Sequence, residues 1–260
     1  MDPFCRKQFD HGGDAKLRYT KDFMSKNPVH VLVTAAMGFE ERPISEGIKR
    51  SENHSYEVLR SGVGQKAGDA LRERLAQSFR RRPSLVISSG LAGIELPGIS
   101  IGSWLLGTNV HASDARPELI TLHEPIAAWI QSAGIEFRLA DFRSATEVVQ
   151  VDHQLELKRG AVDMESYSLA LVCQEENIPF AILRIVSDTP DSPLPKAIGA
   201  FVKVATEETW AGKLQGVVSG IRATFHEPKA MGRFVSQSPK LSRKLTQGWE
   251  KLARRELKIE

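Results

Sequence analysis

Two acids joined by a single helix–strand unit are the residues of this chain best placed for chemistry. Glu165 stands near the start of an apolar helical segment, in Ala161-Val162-Asp163-Met164-Glu165-Ser166. Asp188 follows the apolar run Phe180 to Val186, in Arg184-Ile185-Val186-Ser187-Asp188. An acid at the end of a core element is costly unless it has a partner or a function. Two such acids converging on one cleft suit a reaction in which one holds a ligand and the other moves a proton. A third candidate, Glu40, follows the strand end Ala35-Ala36-Met37-Gly38-Phe39 and is itself followed by Glu41. Each acid also has a plain structural reading. Glu165 is then a first-turn acid favoured by the helix dipole, Asp188 a helix N-cap before Pro190, and Glu40 with Glu41 an exposed pair.

The elements that must position these acids alternate between strand and helix. The pattern predicts strands at Val29 to Ala36, Tyr56 to Arg60, Leu85 to Ser88, Ser103 to Asn109, Glu136 to Leu139 and Phe180 to Val186. It predicts helices at about Lys66 to Phe79, Pro125 to Ala133, Met164 to Glu176 and, as one or two pieces, Leu194 to Ile221. Such alternation argues for an α/β domain with a largely parallel sheet. Ligands bind such sheets at the carboxyl ends of strands. The loops after Ala36, Arg60, Ser88 and Val186 are the places to look, and there the three acids would gather at one edge.

Several other chemistries are disfavoured. Gly62-Val63-Gly64-Gln65-Lys66-Ala67-Gly68 has the wrong spacing for a dinucleotide fingerprint, and its strand is not the first. Ser88-Ser89-Gly90 lacks the flanking glycines of a nucleophile elbow. His111 and His123 belong to no zinc-ligand pattern. The formal net charge is +3 over 260 residues, which does not call for nucleic acid. The apolar runs are too short and broken to span a membrane. Met1 to Asn27 is polar and unlike a signal peptide. With only Cys5 and Cys173, the latter in an apolar helical stretch, a reducing cytoplasmic setting is expected. The expected division is a polar N-terminal extension (1–28), one α/β domain (29–225) and a basic amphipathic C-terminal extension (226–260). In the last, Leu241, Leu245, Trp249 and Leu252 recur at helical spacing among Lys240, Arg243, Lys244, Lys251, Arg254, Arg255 and Lys258. That stripe packs on its own domain or a second subunit, or lies on anionic lipid as a peripheral membrane contact.

Between Val29 and Gly220 the chain resembles the nucleoside phosphorylase/nucleosidase superfamily, and within it the 5'-methylthioadenosine/S-adenosylhomocysteine nucleosidases. The resemblance rests on Ala36-Met37-Gly38-Phe39-Glu40, Ser61-Gly62-Val63-Gly64, Ser89-Gly90-Leu91-Ala92-Gly93, Val162-Asp163-Met164-Glu165 and Arg184-Ile185-Val186-Ser187-Asp188. It implies a three-layer α/β/α fold of the phosphorylase/hydrolase type with a central mixed sheet, a homodimer or higher homo-oligomer, and no metal or organic cofactor. It implies cleavage of the N-glycosidic bond of a 5'-substituted adenine nucleoside. Asp188, oriented by Ser187, would protonate the base. Glu165 would bind the ribose hydroxyls, and Met164 would pack on the sugar. Glu40, with Arg184 helping, would activate water, while main-chain groups of Ala92 and Gly93 line the pocket. The chain departs from the pattern at Leu91, where the hydrolytic members carry a serine beside the attacking water; a phosphorylase or a non-catalytic binder are the competing readings. The purine-stacking aromatic should lie in Leu139 to Val151, with Phe142 the nearest candidate. Val162-Asp163-Met164-Glu165-Ser166, Ser187-Asp188-Thr189-Pro190-Asp191 and Leu194-Pro195 also resemble the hopanoid-associated nucleosidase/phosphorylase branch, which implies phosphorolysis of a purine nucleoside or an adenosyl-lipid as the alternative activity.

Overall fold

The computed structural model describes residues 29–49, 51, 55–112, 119–145, 160–195, 198 and 227–259. The N-terminal extension, most of the helical segment expected after Leu194, and the part of the stacking segment beyond residue 145 lie outside these residues. The order of elements is β1 (His30–Ala35), α1 (Gly38–Ile48), β2 (Ser55–Arg60), α2 (Gln65–Ala76), β3 (Leu85–Ile94), β4 (Trp104–Ala112), β5 (Leu119–Ile120), α3 (Glu124–Ser132), β6 (Phe137–Ser144), β7 (Ala161–Asp163), α4 (Ser166–Glu175), β8 (Phe180–Asp188) and α5 (Pro228–Ala253).

The strands form one mixed sheet. β2, β1, β3 and β8 run parallel in that spatial order. Beyond β8 the direction reverses, because β8 pairs with β4 antiparallel. β4 pairs with β6, β6 with β7, and β7 returns to β3, so β3, β8, β4, β6 and β7 close into a ring. The sheet is thus mixed, as the resemblance implied, with parallel pairing from β2 to β8 and again from β4 to β7. On one face lie α1, α3 and α5 over Val31, Val33, Ile87, Leu183 and Ile185; on the other lie α2 and α4 over Leu32, Val86, Ile182 and Val186. The odd and even residues of each strand thus feed opposite layers, as a pleated strand covered on both faces requires.

Two strands run further than their sequences announce. β3 continues through Ser89-Gly90-Leu91-Ala92-Gly93, which the sequence suggested was a loop, and β8 continues through Ser187 to Asp188. β1 ends its pairing with β3 at Thr34–Ser88. The rest of β3 therefore has an edge not paired to β1, which matters for the site.

The C-terminal helix is part of the domain core, not an appendage. Leu241, Leu245, Trp249 and Leu252 are buried in the cluster shared with α1 and α3. α5 lies so close to α1 that a Cβ on Gly47 would sit 2.6 Å from the Thr246 carbonyl oxygen. Trp249 donates its indole N–H to Ser89 Oγ on β3 at 3.1 Å. The apolar stripe that could have met lipid is thus occupied, and the basic residues of this segment, Lys240 to Lys258, face outward. Among the described residues no helix is long and apolar enough to cross a membrane.

Candidate active site

The eight residues to which the resemblance assigned roles line one cavity at the carboxyl ends of β1, β3, β7 and β8: Glu40, Ala92, Gly93, Met164, Glu165, Arg184, Ser187 and Asp188. The three acids are buried, at 4%, 5% and 2% exposure for Glu40, Glu165 and Asp188. Each plain structural reading can now be judged.

Glu40 and Glu41 part company. Glu41 pairs with Arg60 at the surface. Glu40, in the first turn of α1, reaches back to accept the Met37 N–H at 3.1 Å, a helix-capping bond. Its other oxygen accepts the Leu91 N–H at 2.8 Å. That N–H is open because β3 overruns β1. Gly90 has φ +132°, and a Cβ there would stand 2.5 Å from Glu40 Oε1. Only glycine lets the carboxylate approach the strand this closely. Burial pushes the Glu40 carboxyl above its ordinary range, while Arg184 and the two main-chain donors pull it back.

Glu165 is the N-cap residue of α4 but makes no side-chain cap bond. The capping is done by Asp163, which accepts the Ser166 N–H at 3.3 Å. This frees Glu165 to turn its carboxylate to Arg184, whose Nη2 donates to Oε2 at 3.1 Å. Burial raises the Glu165 carboxyl to about 7 against the pull of Arg184, with the negative charges of Asp163 and Glu40 adding to the rise.

Arg184 is the cation around which this part of the site is built. Nη2 also donates to Ser88 Oγ at 2.8 Å, Nη1 donates to the Leu91 carbonyl at 3.0 Å, and Nε lies 3.0 Å from Asp163 Oδ2. Ser166 Oγ donates to Asp163. Its proton is then committed, so Ser88 Oγ is the donor in the 3.0 Å Ser88–Ser166 contact. Ser144 Oγ donates to Asp163 Oδ1 at 2.6 Å and accepts the Tyr167 N–H at 2.8 Å. The guanidinium is thereby fixed by Ser88, Asp163, Glu165 and a carbonyl. The expected help from Arg184 to Glu40 is electrostatic; its hydrogen bonds go elsewhere.

Asp188 is different. It ends β8, before a turn closed between Thr189 and Ser192, so it is not the helix N-cap that its plain structural reading offered. The β3–β8 ladder shifts register between Ala92–Val186 and Gly93–Asp188. Such bulges re-aim side chains beside sites. Ser187 Oγ lies 2.5 Å from Asp188 Oδ1 and 3.1 Å from the Ala92 carbonyl oxygen. When Asp188 is ionised, the serine proton serves the carboxylate. When Asp188 is protonated, the serine can donate to the Ala92 carbonyl and accept the Asp188 O–H. Burial lifts the Asp188 carboxyl to about 6, opposed only by the Ser187 hydrogen bond. A carboxyl poised there can hold and deliver a proton near neutral pH.

Sequence reasoning missed Asp163, Ser88 and Ser166, which orient Arg184. Asp163 stood inside the motif that was read, but its neighbour Met-Glu drew the assignment. Phe142 is corrected: it is fully buried in the core between β6 and α4 and does not line the cavity. Among the described residues, Phe39 and Phe234 are the aromatic side chains that do. Leu91 contributes both main-chain groups to the site, the N–H to Glu40 and the carbonyl to Arg184. Any residue at 91 except proline could supply these, so the missing serine leaves the frame of the site intact. Among the described residues no group of His, Cys, Asp or Glu is arranged to hold a metal ion.

Residues 140–221 match the family model described as the phosphorylase superfamily. Among curated relatives, the 5'-methylthioadenosine/S-adenosylhomocysteine nucleosidase of Actinobacillus succinogenes is 25% identical over 182 residues, covering 60% of this chain and 77% of the relative. The enzyme of the same description from Glaesserella parasuis is 26% identical over 187 residues, covering 60% and 78%. Among solved structures, the futalosine hydrolase of Helicobacter pylori superposes with a TM-score of 0.60 at 16% identity, covering 86% of this chain and 97% of that one. The 5'-methylthioadenosine/S-adenosylhomocysteine nucleosidase of the same organism, bound to butyl-thio-DADMe-Immucillin-A, gives 0.60 at 18% identity, with the same coverage. At these identities the solved structures speak to the fold.

Proposed function

We propose that this chain, a member of the phosphorylase superfamily, hydrolyses the N-glycosidic bond of a 5'-substituted adenine nucleoside and releases adenine. The observation that carries the reading is Asp188: a buried carboxyl raised to about 6, in a cavity also lined by the buried acids Glu40, Asp163 and Glu165. Adenine leaves poorly as an anion. Protonation at N7 by Asp188 lets the electrons of the C1'–N9 bond pass to a neutral base. Positive charge then grows on the ribose ring. Glu165, anchored by Arg184, accepts hydrogen bonds from the 2' and 3' hydroxyls and stabilises that charge. Met164 packs against the sugar. Glu40 takes a proton from water as its oxygen attacks C1', completing hydrolysis. Both Glu40 oxygens already accept a main-chain N–H, but a carboxylate has further lone pairs for a water.

Water is favoured over phosphate as nucleophile because of how Arg184 is spent. A phosphate needs a cation with donors to offer. Arg184 is 2% exposed and already faces Asp163, Glu165 and a carbonyl. The test is adenine release from methylthioadenosine, S-adenosylhomocysteine and adenosine, each with and without phosphate. Release without phosphate from a 5'-thio nucleoside is expected. Strict phosphate dependence would replace hydrolysis with phosphorolysis and remove Glu40 as water's base.

A further inference from the structure

The bond from the Leu91 N–H to Glu40 joins α1 to β3 at the cavity. The same two elements are linked a second time, deeper in the core, and that link runs through the C-terminal helix. Gly47 follows Glu40 by two turns of α1, and both belong to its buried stripe with Pro43, Ile44 and Ile48. Ser89 precedes Leu91 by two residues and so lies on the same face of β3. Trp249 of α5 meets both. A Cβ on Gly47 would stand 2.7 Å from Trp249 Cβ, so α1 rests on the stem of the tryptophan with no room for a side chain. The indole N–H donates to Ser89 Oγ at 3.1 Å, where both residues are buried.

The indole is itself held. Trp129 meets it edge-on with ring centres 6.1 Å apart, and a Cβ on the neighbouring Gly248 would collide with the Trp104 ring. A buried N–H without a partner is costly, so the bond to Ser89 fixes where β3 passes α5. Ser88, on the opposite face of the strand, accepts from Arg184 Nη2 at 2.8 Å. β3 is thus pinned from both faces immediately before Gly90, whose φ of +132° lets the strand approach Glu40.

Resting on the nucleosidase reading, in which Glu40 activates water, we propose that Trp249 is a positioning residue for Glu40. By bearing on Gly47 and holding Ser89 it sets the separation of α1 and β3, and with it the grip of the Leu91 N–H on the Glu40 carboxylate. Neither Trp249 nor Ser89 lines the cavity, so both act through this frame. Loosening the grip has two consequences. The carboxylate no longer stands squarely for the attacking water, and its charged form loses a hydrogen bond that favours it. The charges facing Glu40 are Arg184, which favours ionisation, and Glu165, which opposes it. Both are retained in the variants that follow.

The test is a cycle of variants assayed on methylthioadenosine in phosphate-free buffer. Trp249→Phe removes the indole N–H but keeps an aromatic ring beside Gly47. It should lower kcat by about 10- to 100-fold, with KM within about threefold of the parent. Ser89→Ala removes the acceptor and should have the same effect, and it carries the test should the tryptophan variant fold poorly. In a Glu40→Gln background either change should cost less than about threefold, because residues that act as a unit do not add. Losses that multiply in that background, or that fall on KM and spare kcat, overturn the proposal and leave Trp249 a core residue. If Glu40→Gln is as fast as the parent, or no cleavage occurs, the nucleosidase reading fails by itself. The positioning is then decided without turnover, by NMR titration of glutamate labelled at its carboxyl carbon. The Glu40 carboxyl should titrate roughly half a pH unit or more higher in Trp249→Phe and Ser89→Ala than in the parent. A titration that neither variant moves refutes the proposal.

Discussion

At the amino ends of β1 and β2, Glu57 meets a surplus of cations: Arg74 donates to both of its oxygens, at 2.7 and 2.5 Å, and Arg80 adds a third bond at 2.7 Å. At the carboxyl ends of the strands the ratio is inverted. Asp163, Glu165 and Glu40 share the field of Arg184, and Asp188 has no cation among the described residues. The same residue type is driven in opposite directions. The arginines hold Glu57 below its ordinary range, while burial carries Glu40, Glu165 and Asp188 above theirs. An acid matched by arginines is set up to stay charged and to hold structure. An acid short of them is set up to exchange protons. The difference locates the chemistry more firmly than any one motif.

The contrast can be broken at four points. Asp188→Asn should lower kcat/KM for adenine release by about 100- to 10,000-fold, with substrate affinity retained in a direct binding measurement. A loss of affinity equal to the loss of rate would make Asp188 a holding group. Arg184→Met should destabilise the fold by about 3–5 kcal/mol in urea, since it strands Asp163 and Glu165 without their cation. The third point concerns pH. The Asp188 carboxyl is raised from 3.8 to about 6, so the stability it gives is full below 3.8 and is lost as pH rises through 6. Asp188→Asn should therefore be more stable than the parent at pH 7.5, by up to about 3 kcal/mol. The gain should vanish near pH 3.5 in matched melting curves. Glu57→Gln should behave in the opposite sense, losing about 1–3 kcal/mol of stability because Arg74 is left buried, with kcat/KM unchanged.

Much of this was legible in the sequence, and the failures have physical causes. β1, β2, α2 and β8 were readable because their apolar runs are bounded by Gly, Pro or charge. The second half of β3 was not. Ser89-Gly90-Leu91-Ala92-Gly93 looks like a turn because glycine leaves strands without side chains to pack. In the fold that absence is what admits the Glu40 carboxylate. β7 spans three residues, too few to carry a period. Phe142 could have been placed. Ala140, Phe142 and Ser144 are buried in alternation with the more exposed Leu139, Asp141 and Arg143, as one face of a strand requires. The circuit of Ser88, Ser166 and Asp163 around Arg184 was beyond reach, since it depends on the pairing of β3 with β8 and on the placement of α4. The C-terminal stripe was legible as an amphipathic helical face, with packing and lipid contact both left open, and nothing local said that it would complete the core and border the site.

The account stands most directly on the proton held by Asp188. The decisive measurement is the pH dependence of kcat/KM for adenine release from methylthioadenosine in phosphate-free buffer, for the parent and for Asp188→Asn. The parent should lose rate tenfold per pH unit above about 6, because kcat/KM follows the acid of the free enzyme. The variant should be slower throughout and lack that limb. A limb that persists in Asp188→Asn, or a variant as fast as the parent, would contradict the assignment of Asp188 as the proton donor.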